Sequence, residues 1–438
     1  MRRKIKFIGA GSLVFTRNLV RDILSYPALS DATICLMDIN AEKLEQIKIA
    51  CEHIINAGNY KAELVCTMDR KQALLNADGV VTSILTNPTE VWGTDITIPM
   101  KYGINLNCGD TRGPGGAFRY LRTVEPLMDI AADIARYCPR AIYLNYSNPM
   151  AMLCRTIQEE FPELQATGLC HSVQQTARLL ANWIGASVNE VEYTCVGINH
   201  QAFYTKFEWN GKDAYPLIKA AVKRDEIYRS EIVRCELMKA FGYFVTESSG
   251  HNSEYCSWFR RTPELIKKYC NGDGYNPGEY AWILNEVRER DITWKDDVEH
   301  WYKNIDLRRG EEYAAYIFNA CFGDGTMFKF NGNVRNFGLV DNLPYGACVE
   351  VPVLASPKGL EPIHVGAMPP QLALMCSISS QTEEMFVEAY HTGDRELVYQ
   401  AICQDPLTAS MLDLHEIRTM VSEMFEYNEQ WLPASFKR

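Results

Sequence analysis

One segment decides the fold of this chain: Ile5-Lys6-Phe7-Ile8-Gly9-Ala10-Gly11-Ser12-Leu13-Val14, an apolar run that ends at a glycine and leads into a helical pattern. Gly9 permits a tight turn after the strand, and Gly11 lets the backbone approach a pyrophosphate. The N–H groups at the start of the following helix then bind the phosphates. Val14 replaces the third glycine of the full motif, and glycines also occur in plain strand–helix turns. We nevertheless expect Gly9, Gly11 and Ser12 to bind a dinucleotide, because of the residue that ends the next strand.

That residue is Asp38, which directly follows the next apolar run, Thr33–Met37. A carboxylate at the end of the second strand binds the ribose hydroxyls of the adenosine. It would repel the 2′-phosphate of NADP, so we predict NAD as the cofactor. The spacing from the glycines exceeds the usual value of about 20 residues, which is consistent with a longer first helix.

Strands and helices alternate through the first half of the sequence. The apolar runs of strand length are residues 5–8, 33–37, 79–85, 141–144, 166–169 and 191–198. Helical patterns separate them, and this order predicts an α/β fold with a Rossmann-like, doubly wound parallel sheet. Ligands bind beyond the carboxyl ends of such strands. Four polar or metal-binding residues fall at these predicted ends: Asp38, Asn145, Cys170 and His200.

Helical stretches dominate beyond about residue 205, and strands become scarcer. A chain of 438 residues is long enough for two domains. We therefore predict a NAD-binding domain at residues 1–200 and a mixed α+β C-terminal domain at residues 201–438, with roles in catalysis, substrate binding and oligomerisation.

The composition is that of an ordinary globular protein, and it narrows the range of partners. The net charge of −11 argues against a nucleic-acid groove and against an anionic membrane surface. Fifteen cysteines without a Cys-x-x-Cys pair indicate free thiols in a reducing compartment. No run of about 18 apolar residues predicts a membrane span, and the apolar stretch after the basic N-terminus is too broken for a signal peptide. We expect a cytoplasmic protein.

Two polar segments follow the dinucleotide turn. The first is glycine-rich, at residues 108–116, where the glycines would bring Asp110 and Arg112 close to a substrate. The second, at residues 145–150, contains Asn148, whose amide could bind sugar hydroxyls. A structural connection and a helix-capping asparagine are the plain alternatives.

Cys170 and His200 each end a predicted strand with a side chain that binds metals. A lone cysteine is most often a small buried residue, and a lone histidine is most often hydrogen-bonded. Together, a thiolate and an imidazole could hold one divalent ion and leave coordination positions for substrate oxygens.

Two further segments are too polar for core elements. Residues 246–255 end at Tyr255, a phenol with an ordinary pKa of about 10, which could serve as a base beside a metal ion. The alternative is a polar loop whose aromatic residue packs inward. Residues 331–336 contain asparagines and Arg335, which could bind sugar hydroxyls or simply form turns.

These segments, in this order, resemble glycoside hydrolase family 4, and most closely its melibiose-type α-galactosidases. The resemblance spans nearly the whole chain. The Cys-His-Ser-Val sequence at residues 170–173 is similar to the branch of the family that acts on unphosphorylated α-glycosides. The matching residues are 7–12, 36–38, 109–116, 145–152, 168–174, 197–200, 242–249 and 342–344.

The resemblance implies a fold related to lactate and malate dehydrogenases, and it implies NAD and a divalent ion, typically Mn²⁺, as cofactors. It also implies a homodimer or homotetramer with a small α-glycoside as substrate, and no nucleic acid or membrane partner. The expected site residues are Cys170 and His200 as metal ligands, Tyr255 as base, Asp110 as acid, Asn148, His171, Arg112 and Arg335 at the substrate, and Asn87 beside the cofactor. Many relatives have paired glycines where this chain has Asn87-Pro88.

The reaction implied by the resemblance begins with hydride transfer from C3 of the sugar to NAD, which leaves a ketone. The metal binds the oxygens at C2 and C3 and polarises the ketone, so the C2 proton becomes acidic. The base removes this proton, and the glycosidic oxygen leaves C1 with help from an acid. Water then adds, and hydride returns to C3. The net reaction is hydrolysis.

Several alternatives remain open from the sequence. Within the family, an α-galacturonidase, an α-glucosidase or an α-glucuronidase could replace the expected α-galactosidase, and residues 84–93 are similar to α-galacturonidases. An NAD-dependent hydroxy-acid dehydrogenase would instead accumulate NADH with its product. A conventional retaining glycosidase would use Asp110 and Glu254 as paired carboxylates and would need neither NAD nor a metal.

Overall fold

The computed structural model describes residues 2–274, 278–303 and 305–437. Within these residues, twelve strands form one sheet. In chain order, strands β1 to β12 are Lys4–Ile8, Thr33–Met37, Glu63–Thr67, Gly79–Thr82, Ile142–Asn145, Gln165–Gly168, Val191–Ile198, Gln201–Trp209, Lys212–Asp213, Phe328–Arg335, Cys348–Ser356 and Gly359–Pro362. Helices α1 to α18 are Leu13–Leu24, Ala41–Ala57, Arg70–Leu74, Thr89–Lys101, Gly113–Tyr137, Met150–Glu160, Ser172–Ile184, Tyr215–Ala221, Asp225–Ser230, Ile232–Phe241, Ser249–Asn252, Pro263–Tyr269, Trp282–Lys303, Tyr313–Phe322, Pro370–Thr392, Arg395–Ile402, Pro406–Ala409 and Leu414–Asn428.

Six strands form the parallel half of the sheet, in the order β3-β2-β1-β4-β5-β6. The chain builds outward from β1 to β3 and then returns to the other side of β1 with β4. This reversal of the strand order is the topological switch point of a doubly wound sheet. The arrangement confirms the predicted Rossmann-like α/β fold and brings the carboxyl ends of these strands to one edge.

Local sequence signals account for most of the element bounds. The apolar run Thr33–Met37 is β2, and the predicted helix at residues 41–57 is α2, Ala41–Ala57. Asn40 caps this helix, because its side chain accepts the N–H of Lys43. Strand β3 shows no apolar run in the sequence, because it lies at the edge of the sheet and most of its residues are partly exposed.

One strand differs from the predicted parallel arrangement. Strand β7 is antiparallel to β8, to which it is joined by the two-residue turn Asn199-His200. The expectation that this strand joins the parallel half is wrong, because β7 pairs antiparallel with both β11 and β8, and a two-residue turn is too short for a parallel connection to β8. Strands β10 and β11 lie between β6 and β7. The sheet therefore continues past residue 200, and the boundary between domains at that point stays a prediction.

Buried apolar layers cover both faces of the parallel half. Ile34 and Leu36 of β2 belong to one buried cluster, while Cys35 and Met37 belong to another, because alternate residues of a strand point to opposite faces. Helix α5 buries much of its length in the second cluster. Among the helices of the described residues, none combines the length and the apolar character that crossing a membrane requires.

Candidate active site and metal centre

A cavity of about 410 Å³ lies at the carboxyl edge of the parallel strands. Its wall includes Ser83 beyond β4, Asn148 beyond β5 and Cys170 beyond β6. The β7–β8 turn contributes His200, and residues 231–251 complete the wall from the second half of the chain. The strand ends and the C-terminal half therefore build this cavity together.

The predicted dinucleotide turn packs against Ser83, a residue of the cavity wall. Gly9 has a φ of 83°, and a Cβ atom there would collide with the carbonyl oxygen of Ser83. At Gly11 a Cβ atom would lie 2.7 Å from Oδ2 of Asp38, and the N–H of Gly11 donates to this carboxylate at 2.6 Å. Ser12 precedes α1 and makes no side-chain capping hydrogen bond. The turn thus packs closely against Ser83 and Asp38 and sets a carboxylate beside a helix N-terminus, an arrangement that fits a dinucleotide.

Two amide side chains at the same edge have unused acceptors. The Oδ1 atoms of Asn87 and Asn148 are buried and lack a hydrogen-bond partner within the described residues. A buried acceptor without a donor is costly, so both atoms are suited to bind a ligand. Asn148 lines the cavity, and so does His171, whose side chain is about half exposed (49%). The structure brings these expected ligand contacts to the strand ends.

Three metal-binding side chains converge in the cavity. The donor atoms of Cys170, His200 and Glu247 all lie within 4.8 Å of one another. His200 and Glu247 have φ values of 62° and 65°. Such left-handed backbone is uncommon for residues other than glycine, and it persists where the surrounding structure holds it. The fold therefore places two of the three donors in strained positions that bring them together.

The charges around these donors suit a cation. Burial lowers the pKa of His200 to about 4, so its imidazole is neutral and can act as a ligand. Burial by itself raises the pKa of Glu247. The opposing electrostatic effect of His200 and His251 is larger, and the pKa is lowered to about 2. Burial, and then the carboxylates of Glu247 and Glu350, raise the pKa of the Cys170 thiol. A divalent ion supplies the positive charge that converts such a thiol into a thiolate ligand.

Asp110 and His251 form an ion pair on the cavity wall. Oδ1 of Asp110 lies 3.5 Å from Nε2 of His251, and the other ring nitrogen lies 3.2 Å from Oε1 of Glu247. Burial opposes the charge of Asp110, but the hydrogen bond and charge of His251 hold its pKa well below the usual range. Burial also lowers the pKa of His251, yet its negative neighbours raise it well above the ordinary value. The proton of this pair therefore resides on His251.

Tyr255 approaches the metal-binding cluster from behind the cavity wall. Its hydroxyl oxygen lies 3.3 Å from Nδ1 of His200, and its ring stacks against the guanidinium of Arg112 at 4.6 Å. Burial raises the pKa of Tyr255, and His251 and Arg112 offset this only in part. Formation of a phenolate here requires additional positive charge, of the kind that a metal ion at His200 would provide.

The structure does not bring Arg112 to the cavity wall. Its guanidinium lies behind Tyr255, where Nε is 3.0 Å from Oε1 of Glu383 in α15, and it donates to the carbonyl of Asn199. Asn199 directly precedes His200 in the β7–β8 turn. The substrate contact of Arg112 stays a prediction, and in this structure Arg112 is placed to hold Tyr255 and the His200 turn.

Arg335 also lies away from the cavity. Its Nε donates to the carbonyl of Gly346 at 2.6 Å, and Nη1 lies 3.9 Å from Glu159. Glu159 is near the end of α6, whose first residue, Met150, lines the cavity. Nine helical residues correspond to roughly 13 Å. Within one copy of the chain, the expected substrate contact of Arg335 is not supported.

Glu247 and His251 are functional candidates that sequence reasoning does not single out. Both lie in the polar segment at residues 246–255, so its unusual polarity was the available signal. The positive φ of Glu247 and the contact of His251 with Asp110 arise only in the folded chain. The sequence of the segment does not reveal them.

Glu254 binds the backbone of a loop and is not placed as a catalytic carboxylate. Its carboxylate accepts the backbone N–H groups of residues 107, 108 and 109, the last two at 2.7 and 3.0 Å. It is 7% exposed and does not line the cavity. The alternative in which Asp110 and Glu254 act as paired carboxylates is therefore wrong, because Glu254 holds the loop that carries Asp110.

Two family models match the chain over most of its length. The model for "Family 4 glycosyl hydrolase" matches residues 4–186, and the model for "Family 4 glycosyl hydrolase C-terminal domain" matches residues 195–408. The chain belongs to glycosyl hydrolase family 4. This membership identifies the chain as a glycosidase and replaces the alternative of a hydroxy-acid dehydrogenase.

Curated relatives in this family act on several sugars. The chain is 38% identical to an α-galactosidase of Bacillus subtilis (strain 168), over 98% of this chain and 99% of the relative. It is 32% identical to an α-galactosidase of Rhizobium meliloti (strain 1021), over 98% and 89%. An α-galacturonidase of Thermoanaerobacter italicus is 28% identical, over 98% and 97%.

Solved structures of family 4 enzymes share the fold. A Bacillus subtilis protein described provisionally as a glucosidase has a TM-score of 0.85 at 26% identity, over 97% of this chain and 99% of that chain. A 6-phospho-α-glucosidase from gut microorganisms, solved with NAD and Mn²⁺, has a TM-score of 0.80 at 18% identity, over 99% of each chain. A malate dehydrogenase of Cryptosporidium parvum has a TM-score of 0.53 at 14% identity, over 89% and 99%, which is in accord with the expected relation of the folds.

Proposed function

We propose that this family 4 enzyme hydrolyses unphosphorylated α-galactosides such as melibiose, with NAD and a divalent ion, typically Mn²⁺, as cofactors. One observation carries the proposal: the donors Cys170, His200 and Glu247 face a cavity whose wall includes Ser83, and Gly9 of the dinucleotide turn packs against Ser83. A metal site and a dinucleotide site that share one cavity can act on neighbouring carbons of one sugar. The α-galactosidase relatives support the sugar, and the solved relative with NAD and Mn²⁺ supports the cofactors.

The chain's residues divide between the two cofactors. The dinucleotide would be held by Gly9, Gly11, Ser12, Asp38 and Asn87, and the metal ion by Cys170, His200 and Glu247. When bound, NAD accepts and returns a hydride at C3 while the metal ion makes the C2 proton acidic.

The protein's own groups would move the protons. Tyr255 is the proposed base for the C2 proton, and Arg112 and Glu383 hold it in place from behind. The Asp110–His251 pair is the proposed source of the proton for the leaving glycosidic oxygen, with His251 as the group that carries it. In this assignment Asp110 acts as an acid only through its partner.

The charge of the cavity wall favours a neutral sugar. Among the described lining residues, Arg234 is the only arginine or lysine, and Nη2 of its guanidinium lies 2.6 Å from Glu231. Apart from a bound metal ion, a sugar phosphate would therefore find no unpaired arginine or lysine on this wall. This supports an unphosphorylated substrate.

Cofactor withdrawal tests the proposal. We expect hydrolysis of 4-nitrophenyl α-galactoside by the enzyme with NAD, Mn²⁺ and a reductant, no accumulation of NADH, and loss of activity when either cofactor is removed. Full activity after both are stripped would overturn the proposal. A homodimer or homotetramer remains a prediction from the family resemblance, and a cytoplasmic location remains a prediction from the sequence.

A further inference from the structure

A buried ion pair faces the cavity beside the metal-binding cluster. Glu231 directly precedes α10 and Arg234 lies in its first turn, so the two side chains share one face of the helix. Nε of Arg234 donates to Oε2 of Glu231 at 2.8 Å, and Nη2 lies 2.6 Å from Oε1. Glu231 is 5% and Arg234 4% exposed, and both line the cavity.

Neighbouring side chains complete this pair. Ser249 donates its N–H at 3.2 Å and its hydroxyl at 2.7 Å to Oε2 of Glu231. Nη1 of Arg234 donates to the hydroxyl of Thr176 at 2.8 Å, and the guanidinium lies 5.0 Å from the centre of the Phe244 ring. All three nitrogens of the guanidinium are therefore engaged inside the protein. The pair of donors formed by Nε and Nη2 is bound to the carboxylate of Glu231, so another carboxylate could use this pair only by displacing Glu231.

The pair lies close to the proposed reaction site. Glu231 and Arg234 line the same cavity as Glu247, and Ser249, which donates to Glu231, is two residues from Glu247 in the chain. The rest of the described wall offers no other arginine or lysine, but it contains the carboxylates of Asp110 and Glu247. A negatively charged sugar would thus meet a guanidinium that a carboxylate already occupies.

We propose that Glu231 determines the preference for neutral over anionic glycosides, by occupying the guanidinium of Arg234 that would otherwise bind a sugar carboxylate. This inference rests on the proposed function. A galactoside and a galacturonide differ only at C6, which is a hydroxymethyl group in the first and a carboxylate in the second. A guanidinium matches a carboxylate with two parallel hydrogen bonds. Release of Arg234 from Glu231 therefore makes its guanidinium available to bind the carboxylate of the sugar.

The test is Glu231→Gln in the holoenzyme. Glutamine keeps the size of the side chain and an oxygen for Ser249, but removes the charge that holds Arg234. We expect kcat/KM for 4-nitrophenyl α-galacturonide, relative to the α-galactoside, to rise by about 10- to 100-fold. The double variant E231Q/R234Q should lose this gain. The matched control is E236Q, because Glu236 forms an i,i+3 ion pair with Lys239 on the same helix outside the cavity, at 2.8 Å, and its ratio should not change.

Thermal unfolding of each holoenzyme establishes that the variants are folded. If E231Q does not fold, Ser249→Ala, which removes the hydroxyl donor to Glu231, should shift the ratio in the same direction by a smaller factor. An unchanged ratio in the folded variant, with wild-type enzyme active on the α-galactoside, overturns the inference and leaves the proposed function intact.

Calorimetry of galacturonate and galactose binding to the holoenzymes distinguishes a failure of the proposed substrate from a failure of the inference about Glu231. If the wild-type enzyme does not hydrolyse α-galactosides, the proposed substrate fails, and binding alone then decides the inference. E231Q must bind galacturonate more tightly than the wild-type enzyme, while galactose binding changes less. Equal affinities of the two proteins for galacturonate would overturn the inference.

Discussion

Replacement of Glu254 by glutamine tests how strongly the cavity depends on one buried carboxylate. Oε1 accepts the N–H groups of residues 107 and 108, and Oε2 accepts that of Gly109 at 3.0 Å. Hydrogen bonds to a charged acceptor contribute about 1.5–3 kcal/mol each. In E254Q the amide oxygen keeps two uncharged bonds, whereas the amide NH₂ faces the N–H of Gly109 and leaves it unsatisfied. We therefore expect the free energy of unfolding to fall by about 2–4 kcal/mol.

Urea unfolding of wild type, E254Q and E236Q measures this loss. Glu236 is a partly exposed partner of Lys239, so E236Q should cost less than about 1 kcal/mol. Because the loop held by Glu254 carries Asp110, kcat should fall in E254Q as well. If E254Q and E236Q unfold at the same urea concentration, the role of Glu254 as the clamp of this loop is refuted.

Two further predictions concern buried carboxylates. Glu247→Gln should weaken Mn²⁺ binding by at least about 10-fold, measured by calorimetry on the protein without added substrate; an affinity equal to that of the E236Q control would remove Glu247 from the metal site. Glu350→Gln should flatten the pH dependence of stability, because burial raises the pKa of Glu350 to about 8, above its unfolded value of about 4.3. The stability of the wild type is then full below about pH 4.3 and is lost as the pH rises through 8, by at most about 1.4 kcal/mol per pH unit. Equal slopes of wild type and E350Q between pH 5 and 8 would contradict this assignment.

The parallel half of the sheet was predictable from the sequence for a physical reason. Strands β2, β4 and β5 are buried on both faces, so they appear as apolar runs that stop near a polar residue such as Asp38 or Asn145. The exposed edge strand β3 lacks this signal. For β7, the only sequence signal of an antiparallel arrangement was the short turn, Asn199-His200, that separates it from the next strand.

The candidate site was predictable mainly where its residues follow strand ends, and Asp110 was predicted from its glycine-rich loop. Cys170, His200 and Asn148 do so, and the structure brings them to one cavity. Contacts between distant segments do not follow from local patterns: Glu254 binds the N–H of a residue 147 positions earlier in the chain. Arg112 illustrates the same limit, because a glycine-rich loop does not reveal that its arginine packs behind Tyr255.

Hydrolysis in deuterated water tests the central claim most directly. If the cavity exists to make the C2 proton of the sugar acidic, the galactose released from an aryl α-galactoside should contain deuterium at C2, because the base returns a solvent-derived hydron to that carbon. Mass spectrometry and proton NMR of the product measure this incorporation in the presence of NAD and Mn²⁺. Complete retention of the original hydrogen at C2, at normal rates of hydrolysis, would contradict the account.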